Sequence, residues 1–184
     1  MQRITALNPD TTTGKSKDMF NVINGKLGMV PNMMRTMGNS PAVLNGYLSF
    51  GGALAESSIG SKLGELIALT VANINGCGYC NAAHSFIGEK LVGIDSNSIN
   101  AAKEGKASDS KIQTALTFVR LLVVKKGRVS EADVESLKKA GFSEAAITEI
   151  IAHTGYNIFT NYFNEALDVV LDFPEVELIE TVAV

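Results

Sequence analysis

The sequence predicts an all-α protein built as a single domain. Start and stop signals for helices recur along the chain, and no clear stretch shows the strict two-residue alternation of a half-buried strand. The 184 residues lie within the usual size of one domain. Hydrophobic residues reach 46%, which is enough to fill one core. Trp is absent and aromatic residues make up only 7%, so we expect that core to be aliphatic.

Charge and hydropathy exclude two classes of partner. The chain carries 16 basic and 19 acidic residues, a net charge of −3, and therefore lacks the basic surface that binds nucleic acid. The N-terminal residues contain no apolar signal-peptide core. The longest apolar stretches, residues 66–74 and 118–124, are shorter than the ~20 residues that span a bilayer. We predict a cytoplasmic protein without nucleic-acid or membrane partners.

The N-terminal part of the chain predicts three helices. A weakly amphipathic segment, residues 9–27, ends at Gly28, and the Met-rich stretch 29–37 contains one short helix. Ser40-Pro41 is typical of a helix start, with Ser as the N-cap and Pro at the first helical position. We expect this third helix to run to about residue 57. The first 30 residues or so form an N-terminal extension to the domain.

Two helices are predicted in the middle of the chain. Ser61 is the expected cap of the first, and residues 64–75 are apolar on nearly all sides, as in a buried helix. Gly76 interrupts this helix. The second runs over residues 78–92 and is closed by Gly93.

The C-terminal half predicts four helices and a tail. Their predicted limits are Asp95 to Lys103, Ser108 or Asp109 to residues 125–127, Ser130 to residues 140–141, and Ser143 to a point before Pro174. The last of these is the longest. The tail, residues 174–184, is apolar with interspersed Glu and Thr from 176 onward, so we expect it to pair as an edge or to pack on a neighbouring subunit.

The residues most able to carry chemistry lie around residue 77. Cys77 and Cys80 form a Cys-x-x-Cys at the start of a predicted helix, where the backbone amides favour a thiolate. His84 lies four residues after Cys80, so the two side chains can meet on one helix face and the His can take the thiol proton. Glu65 lies on the preceding apolar helix, where a carboxylate needs a partner such as an imidazole.

Other interpretations of the same residues remain open at this point. Cys77, Cys80, His84 and Glu65 are all legitimate zinc ligands, although structural zinc usually uses two separated ligand pairs. The cysteines could also be structural, or form a non-catalytic redox sensor. Glu65 alone could be a simple ion-pair partner.

Three further features have a structural interpretation that competes with a functional one. His153 is more often a packed core histidine than a second base. The methionines of the Met-rich stretch form core or interface, or else line a channel for an apolar hydroperoxide; they are Met29, Met33, Met34 and Met37. Gly51-Gly52 within a helix indicates close helix packing.

These residues resemble the AhpD-like alkylhydroperoxidase and carboxymuconolactone decarboxylase superfamily. Glu65, Cys77-x-x-Cys80 and His84 match its motif in residue type and spacing, and residues 150–163 look like its closing helix. The resemblance covers roughly residues 31–174 and is greatest to the peroxidase-related branch. It implies an AhpD-like helical bundle.

The resemblance also implies a mechanism. Cys80 would attack a hydroperoxide and become a sulfenic acid, and Cys77 would resolve it into a disulfide. His84 would relay protons, and Glu65 would orient that relay. A dithiol or lipoyl-type reductant protein would restore the pair. We predict no cofactor and no resident metal for this cycle.

This sequence departs from the family pattern at one site position. Founding members have a His between the two cysteines where this chain has Tyr79, so the resemblance implies one relay group fewer. The decarboxylase relatives lack the Cys pair, which argues against lactone decarboxylation. The resemblance further implies a homo-oligomer, a trimer or a hexamer.

Overall fold

The computed structural model describes residues 1–179, which form helices and no strand. This confirms the all-α prediction. The bounds are α1 Gly14–Leu27, α2 Asn32–Met37, α3 Pro41–Leu54, α4 Gly60–Ile74, α5 Gly78–Ile87, α6 Ser96–Lys103, α7 Ser110–Val124, α8 Glu131–Lys139 and α9 Glu144–Leu167. None of the helices within these residues is long and apolar enough to cross a membrane.

Side-chain caps begin several helices where the sequence predicts them. Ser40 Oγ accepts a hydrogen bond from the backbone N–H of Val43, which satisfies one of the amides that a helix start leaves unpaired. The same type of bond is made by four other predicted caps, namely Asp95, Asp109, Ser130 and Ser143. These local signals therefore set most of the helix starts in the C-terminal half.

The start of α4 differs from the prediction. Ser61 is not its cap, because the helix already begins at Gly60 and Ile59 occupies the cap position. Gly60 adopts a φ of +75°, a left-handed conformation that glycine tolerates. The chain therefore turns into α4 directly from the segment that follows α3, and Ser61 falls inside the first turn. α3 itself ends at Leu54 rather than near residue 57.

The helix that carries the cysteines changes geometry near its end. It spans the predicted residues 78–92, but beyond Ile87 the segment Gly88–Val92 is a π-helical turn. Gly93, at φ +75°, then ends it as predicted. Single π-turns within helices are frequent at functional sites.

α4 is the central element of the fold. It packs against α5, α6, α7 and α9, which explains why it is apolar on nearly all sides. One apolar cluster joins α4 to α6, α7, α8 and α9. A second joins α1, α2, α3 and α5 to the chain after α9, and both cysteines belong to this second cluster. Phe20 and Ile23 of the predicted N-terminal extension are buried in it, so α1 is part of the packed domain.

The described part of the C-terminal tail packs on its own chain. The backbone N–H of Ile179 donates to Asn73 Oδ1 at 3.0 Å, and its carbonyl accepts from Asn73 Nδ2 at 2.8 Å. This segment therefore contacts α4 and is not an edge strand. Residues 180–184 of the predicted tail lie outside the described part of the chain.

Candidate functional site

The two cysteines lie at the turn between α4 and α5. Gly76 adopts a φ of +68°, which lets the chain reverse after α4. Cys77 is then the N-cap of α5, and its Sγ accepts the backbone N–H of Cys80 at 3.3 Å. Cys80 follows within the first turn. The positive end of the α5 dipole is therefore directed at both sulfurs, and it favours negative charge there.

Cys77 and Cys80 form a disulfide. Their Cα atoms are 5.3 Å apart, within the range that a disulfide can bridge without backbone movement. The two residues differ in their access to solvent. Cys77 is fully buried, whereas Cys80 is 3% exposed and lines a cavity. Cys80 is therefore the sulfur that a small molecule can approach.

His84 and Glu65 form a hydrogen-bonded pair beside Cys80. His84 Nδ1 lies 2.8 Å from Glu65 Oε2, and both side chains are about one-fifth exposed. This bond joins α4 to α5 and fixes the imidazole orientation. With Nδ1 engaged by a carboxylate, Nε2 is the ring nitrogen left to exchange a proton. His84 lies one turn after Cys80 on α5 and lines the same cavity.

The cavity over Cys80 has a volume of about 270 Å³ and is mainly apolar. Its walls come from the end of α1, from α2, from α5 and the π-helical turn after it, from Tyr47 of α3, from α9 and from Phe173 after α9. The wall contains one basic side chain of the lysine or arginine type, Lys26, and no acidic side chain. The apolar lining residues are Leu27, Met29, Pro31, Met33, Met34, Ala83, Phe86, Ile87, Leu91 and Phe173.

Three of the four methionines considered from the sequence line this cavity. Met29, Met33 and Met34 do so, which agrees with the channel interpretation of the Met-rich stretch. Met37 does not: it is 1% exposed and packs in the second apolar cluster. Met33 and Met37 lie one turn apart on the same face of α2, so the cavity meets the first turn of this helix and not its end.

Tyr79, between the two cysteines, is a structural anchor. Its hydroxyl donates to Asp172 Oδ1 at 2.8 Å and accepts the backbone N–H of Met33 at 3.2 Å. The other oxygen of Asp172 accepts the backbone N–H of Asn32 at 2.6 Å. Burial raises the pKa of Tyr79 far above its usual range, so the hydroxyl stays protonated. This residue holds α2 and the chain after α9 together over the cavity.

A second cavity of about 400 Å³ adjoins the first. Glu65 and His153 line it, and Tyr47, His84 and Tyr156 line both cavities. The rings of Tyr47 and Tyr156 stack with centroids 4.9 Å apart, and burial raises the pKa of both hydroxyls. His84 therefore borders both cavities, whereas Glu65 borders only the second.

His153 is packed and hydrogen-bonded, as the structural interpretation predicts. Its Nε2 lies 3.1 Å from Ser57 Oγ, and its ring lies against the backbone of Gly64. Burial lowers the pKa of His153, so the neutral form is favoured near pH 7. Gly51 confirms the predicted close packing, since any side chain there would overlap the Tyr156 hydroxyl.

Asn164 is a site residue that the sequence interpretation does not include. It lies on α9 and is 2% exposed, and its Nδ2 donates to Cys80 Sγ at 3.2 Å. The sequence does contain a signal for it. Buried polar residues recur every three or four positions along the otherwise apolar helix α9, which indicates a polar stripe on a core face; they are Thr154, Asn157, Asn161 and Asn164.

The geometry does not favour the zinc interpretation. Residues 1–179 contain no group of three or more His, Cys, Asp and Glu side chains placed to hold one metal ion. The disulfide also occupies both sulfurs that such a site would use. Cys77, Cys80, His84 and Glu65 do come together, but as a sulfur pair next to a hydrogen-bonded imidazole–carboxylate pair.

Comparison with known proteins identifies related structures. The model of the carboxymuconolactone decarboxylase family matches residues 41–90, which contain Glu65, both cysteines and His84. An uncharacterized peroxidase-related protein from Silicibacter sp. TM1040 is 28% identical over 90% of this chain and 91% of its own, with a TM-score of 0.80. No curated protein matches the chain significantly.

Two further solved structures have the same fold. A peroxidase-related protein from Ralstonia eutropha JMP134, described as an alkylhydroperoxidase AhpD core, is 21% identical over 93% of this chain and 92% of its own, with a TM-score of 0.80. The debrominase Bmp8 is 25% identical over 86% of each chain, with a TM-score of 0.73.

Fold and site together define a helical protein with a disulfide-forming Cys-x-x-Cys at the start of a helix, next to a His–Glu pair. The chain is similar to the AhpD-like, carboxymuconolactone decarboxylase superfamily: the family model matches residues 41–90, which hold the site, and the solved peroxidase-related proteins share the fold.

Proposed function

We propose that this protein is a thiol-dependent peroxidase that reduces organic hydroperoxides. One observation carries the proposal: Cys80, which pairs with Cys77 as a disulfide, lines an apolar cavity together with His84, and Glu65 holds His84 in place. A thiol, a base and a substrate-sized space thus meet at one point.

In the first step His84 acts as the base. Its Nε2 takes the proton of the Cys80 thiol, and the Glu65 carboxylate stabilises the imidazolium that forms. The Cys80 thiolate attacks the terminal oxygen of the hydroperoxide, and the O–O bond breaks. Cys80 becomes a sulfenic acid, and the leaving alkoxide takes the proton from His84 and departs as an alcohol.

In the second step Cys77 resolves the sulfenic acid. The Cys77 sulfur attacks Cys80 Sγ, the hydroxyl leaves as water, and the disulfide forms. The two thiols have then lost two electrons, and the hydroperoxide has gained them. An external dithiol, such as a lipoyl-type group on a partner protein, returns the pair to the reduced form by thiol–disulfide exchange.

The lining of the cavity favours an organic hydroperoxide over hydrogen peroxide. Flexible methionine side chains such as Met33 and Met34 adapt to apolar groups of different shape. Phe86 and Phe173 add apolar surface. Burying an alkyl or aryl group against these residues contributes binding free energy that hydrogen peroxide cannot gain.

A second candidate reaction is reductive removal of a halogen from an aromatic ring. Its support is the similarity to the debrominase Bmp8 and the apolar, partly aromatic cavity over Cys80. The reaction would convert an aryl bromide and two thiols into the arene, hydrogen bromide and the Cys77–Cys80 disulfide. Bromide released from a brominated pyrrole by the reduced protein would favour it over the peroxidase.

Steady-state turnover with dithiothreitol and an organic hydroperoxide tests the proposal. The wild type should consume the hydroperoxide catalytically, and Cys80→Ser should not. Without dithiothreitol, Cys77→Ser should consume one equivalent of hydroperoxide and stop as the Cys80 sulfenic acid, because this variant has no resolving thiol. Full activity in Cys80→Ser would overturn the proposal. One equivalent of zinc with unreactive thiols, found by elemental analysis, would support the zinc interpretation instead.

We also propose that the protein is a homo-oligomer, a trimer or a hexamer. Large apolar side chains are exposed on the single chain, including Phe50, Phe159 and Tyr162, at 44%, 42% and 61%. Light scattering on the protein in solution gives the mass directly. The same measurement on the oxidised and reduced forms tests the redox-sensor interpretation, which requires the assembly to change with the disulfide.

A further inference from the structure

Asn164 approaches the sulfur pair from a helix that carries none of the predicted site residues. It lies near the end of α9, and its Nδ2 donates to Cys80 Sγ at 3.2 Å and to Met33 Sδ at 3.3 Å. The Glu65–His84 pair, by contrast, belongs to α4 and α5. Cys80 Sγ therefore has a hydrogen-bond donor of its own from α9.

The side chain of Asn164 is poorly satisfied for a group that is 2% exposed. Both acceptors of its Nδ2 are sulfur atoms, which accept weakly. Its Oδ1 has no hydrogen-bond partner within residues 1–179. A buried, half-satisfied amide lowers stability. Asn81, Asn157 and Asn161 also have an unpaired amide atom within residues 1–179, but of these four residues only Asn164 donates to a cysteine sulfur. Leu has the same number and branching of side-chain heavy atoms as Asn and would leave no unpaired polar atom.

Opening of the disulfide changes the strength of this contact. Cys80 Sγ can then become a thiolate, and a hydrogen bond to an anion is about twice as strong as one between neutral groups. Cys80 is 3% exposed, and burial disfavours a charged group. The Asn164 amide already donates to Sγ, so it offsets the cost of a buried thiolate without having to change its own conformation.

We propose that Asn164 is a further catalytic residue, which stabilises the Cys80 thiolate through an Nδ2–H···Sγ hydrogen bond. The inference rests on the proposed function, in which that thiolate attacks the substrate. Cys77 Sγ instead accepts the backbone N–H of Cys80. Asn164 therefore favours the anion on the sulfur that lines the cavity, and so selects Cys80 as the nucleophile.

The pKa of the Cys80 thiol tests this role without any substrate. It is measured from the pH dependence of alkylation by iodoacetamide, in a Cys77→Ser background that leaves one thiol. Asn164→Leu should raise this pKa by about 1–2 units. At any pH below the pKa of both proteins, the variant should then hold about 10- to 100-fold less thiolate. Asn164→Asp should raise the pKa at least as much, because a carboxylate repels the thiolate.

Asn161→Leu is the matched control. Asn161 is a buried amide one turn earlier on α9; its Oδ1 accepts from Asn75 Nδ2, and its Nδ2 has no hydrogen-bond partner within residues 1–179, so it donates to no sulfur. This variant should leave the Cys80 pKa unchanged. A folded Asn164→Leu or Asn164→Asp protein with the wild-type pKa overturns the inference.

Thermal melting separates this role from a structural one. If Asn164 acts on the thiolate, Asn164→Leu keeps or raises the melting temperature while the Cys80 pKa rises. A lower melting temperature with an unchanged pKa shows a structural role and overturns the inference. If Asn164→Leu does not fold, the isosteric Asn164→Asp decides by the same pKa measurement. If the Asn164 variants shift the Cys80 pKa but the wild-type protein does not turn over hydroperoxide, the proposed function is overturned and the role of Asn164 stands.

Discussion

Cys77 and Cys80 are three positions apart, yet their sulfurs have different surroundings. Cys77 Sγ is fully buried at the helix N-cap. Cys80 Sγ contacts Asn164, lies on the wall of the apolar cavity and is one turn from His84. This asymmetry suits a pair in which one thiol meets the substrate and the other resolves the product.

Replacing His84 tests the base assigned to the reaction. His84→Gln keeps a polar side chain but removes a group that can take a proton near neutral pH, so the rate with an organic hydroperoxide should fall at least about 100-fold. Stopped-flow measurement on the reduced protein gives this rate. The control is His153→Gln, which removes the other histidine, and it should change the rate little. Equal losses in the two variants would contradict the assignment.

His153 gives a prediction for stability against pH. Burial lowers its pKa in the folded state, so at mildly acidic pH the unfolded chain binds a proton that the folded protein does not. Stability should therefore fall as the pH drops from the ordinary histidine pKa toward the lower folded value. The loss of melting temperature between about pH 7.5 and about pH 5.5 should be smaller in His153→Gln. An identical loss in wild type and variant would contradict this.

At the residue scale, local patterns account for some of the contacts around the sulfurs and not for others. Cys80 and His84 are four positions apart on one helix, so their proximity follows from helical geometry alone. Asn164 is 84 positions from Cys80. Only the packing of α9 on α5 brings it to the sulfur, and that packing depends on the whole domain. Tyr79 likewise acts through Asp172, which is 93 positions away.

Two adjacent glycines of α3 make a matched pair at the scale of a helix. A Cβ at Gly51 would overlap the Tyr156 hydroxyl, and Tyr156 is held by stacking on Tyr47, so Gly51→Ala should destabilise the fold by about 1–3 kcal/mol. A Cβ at Gly52 meets nothing within 4 Å, so Gly52→Ala should stabilise it by about 0.5–1 kcal/mol. Urea unfolding measures both. Shifts of the same sign would contradict the close approach of α9 to α3.

Tyr79→Phe tests the junction between α2 and the chain after α9. Loss of the hydroxyl leaves Asp172 Oδ1 and the backbone N–H of Met33 without this partner, so the free energy of unfolding should fall by about 1–3 kcal/mol. The pKa of the Cys80 thiol should not change, since the hydroxyl bonds to Asp172 and to the Met33 backbone and not to a sulfur. Tyr162→Phe is the control, because Tyr162 is 61% exposed. A shifted thiol pKa in Tyr79→Phe would indicate a proton-relay role instead.

Element by element, the helices with strong local caps were predicted well. Ser143 and Ser130 stand at the starts of α9 and α8, because a cap acts on amides within its own turn. The start of α4 was not predicted, because the turn at Gly60 sets it. The π-helical turn Gly88–Val92 has no sequence signal that separates it from the α-helix before it.

For the whole molecule, the prediction of an all-α fold followed from composition and helix signals, and the structure of residues 1–179 confirms it. The central position of α4 was foreseeable because the helix is apolar on nearly all sides. The arrangement of the cavity was not. Its walls combine parts of α1, α2, α3, α5 and α9 with Phe173, and only the tertiary fold brings these segments together.

Intact-mass measurement of one turnover tests the central claim most directly. Reduced wild-type protein is mixed with one equivalent of an organic hydroperoxide, and the masses of protein and small-molecule product are recorded. We predict that the protein loses two hydrogen atoms and both alkylatable thiols as the hydroperoxide becomes the alcohol, while Cys80→Ser leaves the hydroperoxide intact. A reduced wild type that keeps its mass and leaves the hydroperoxide unconsumed would contradict the peroxidase.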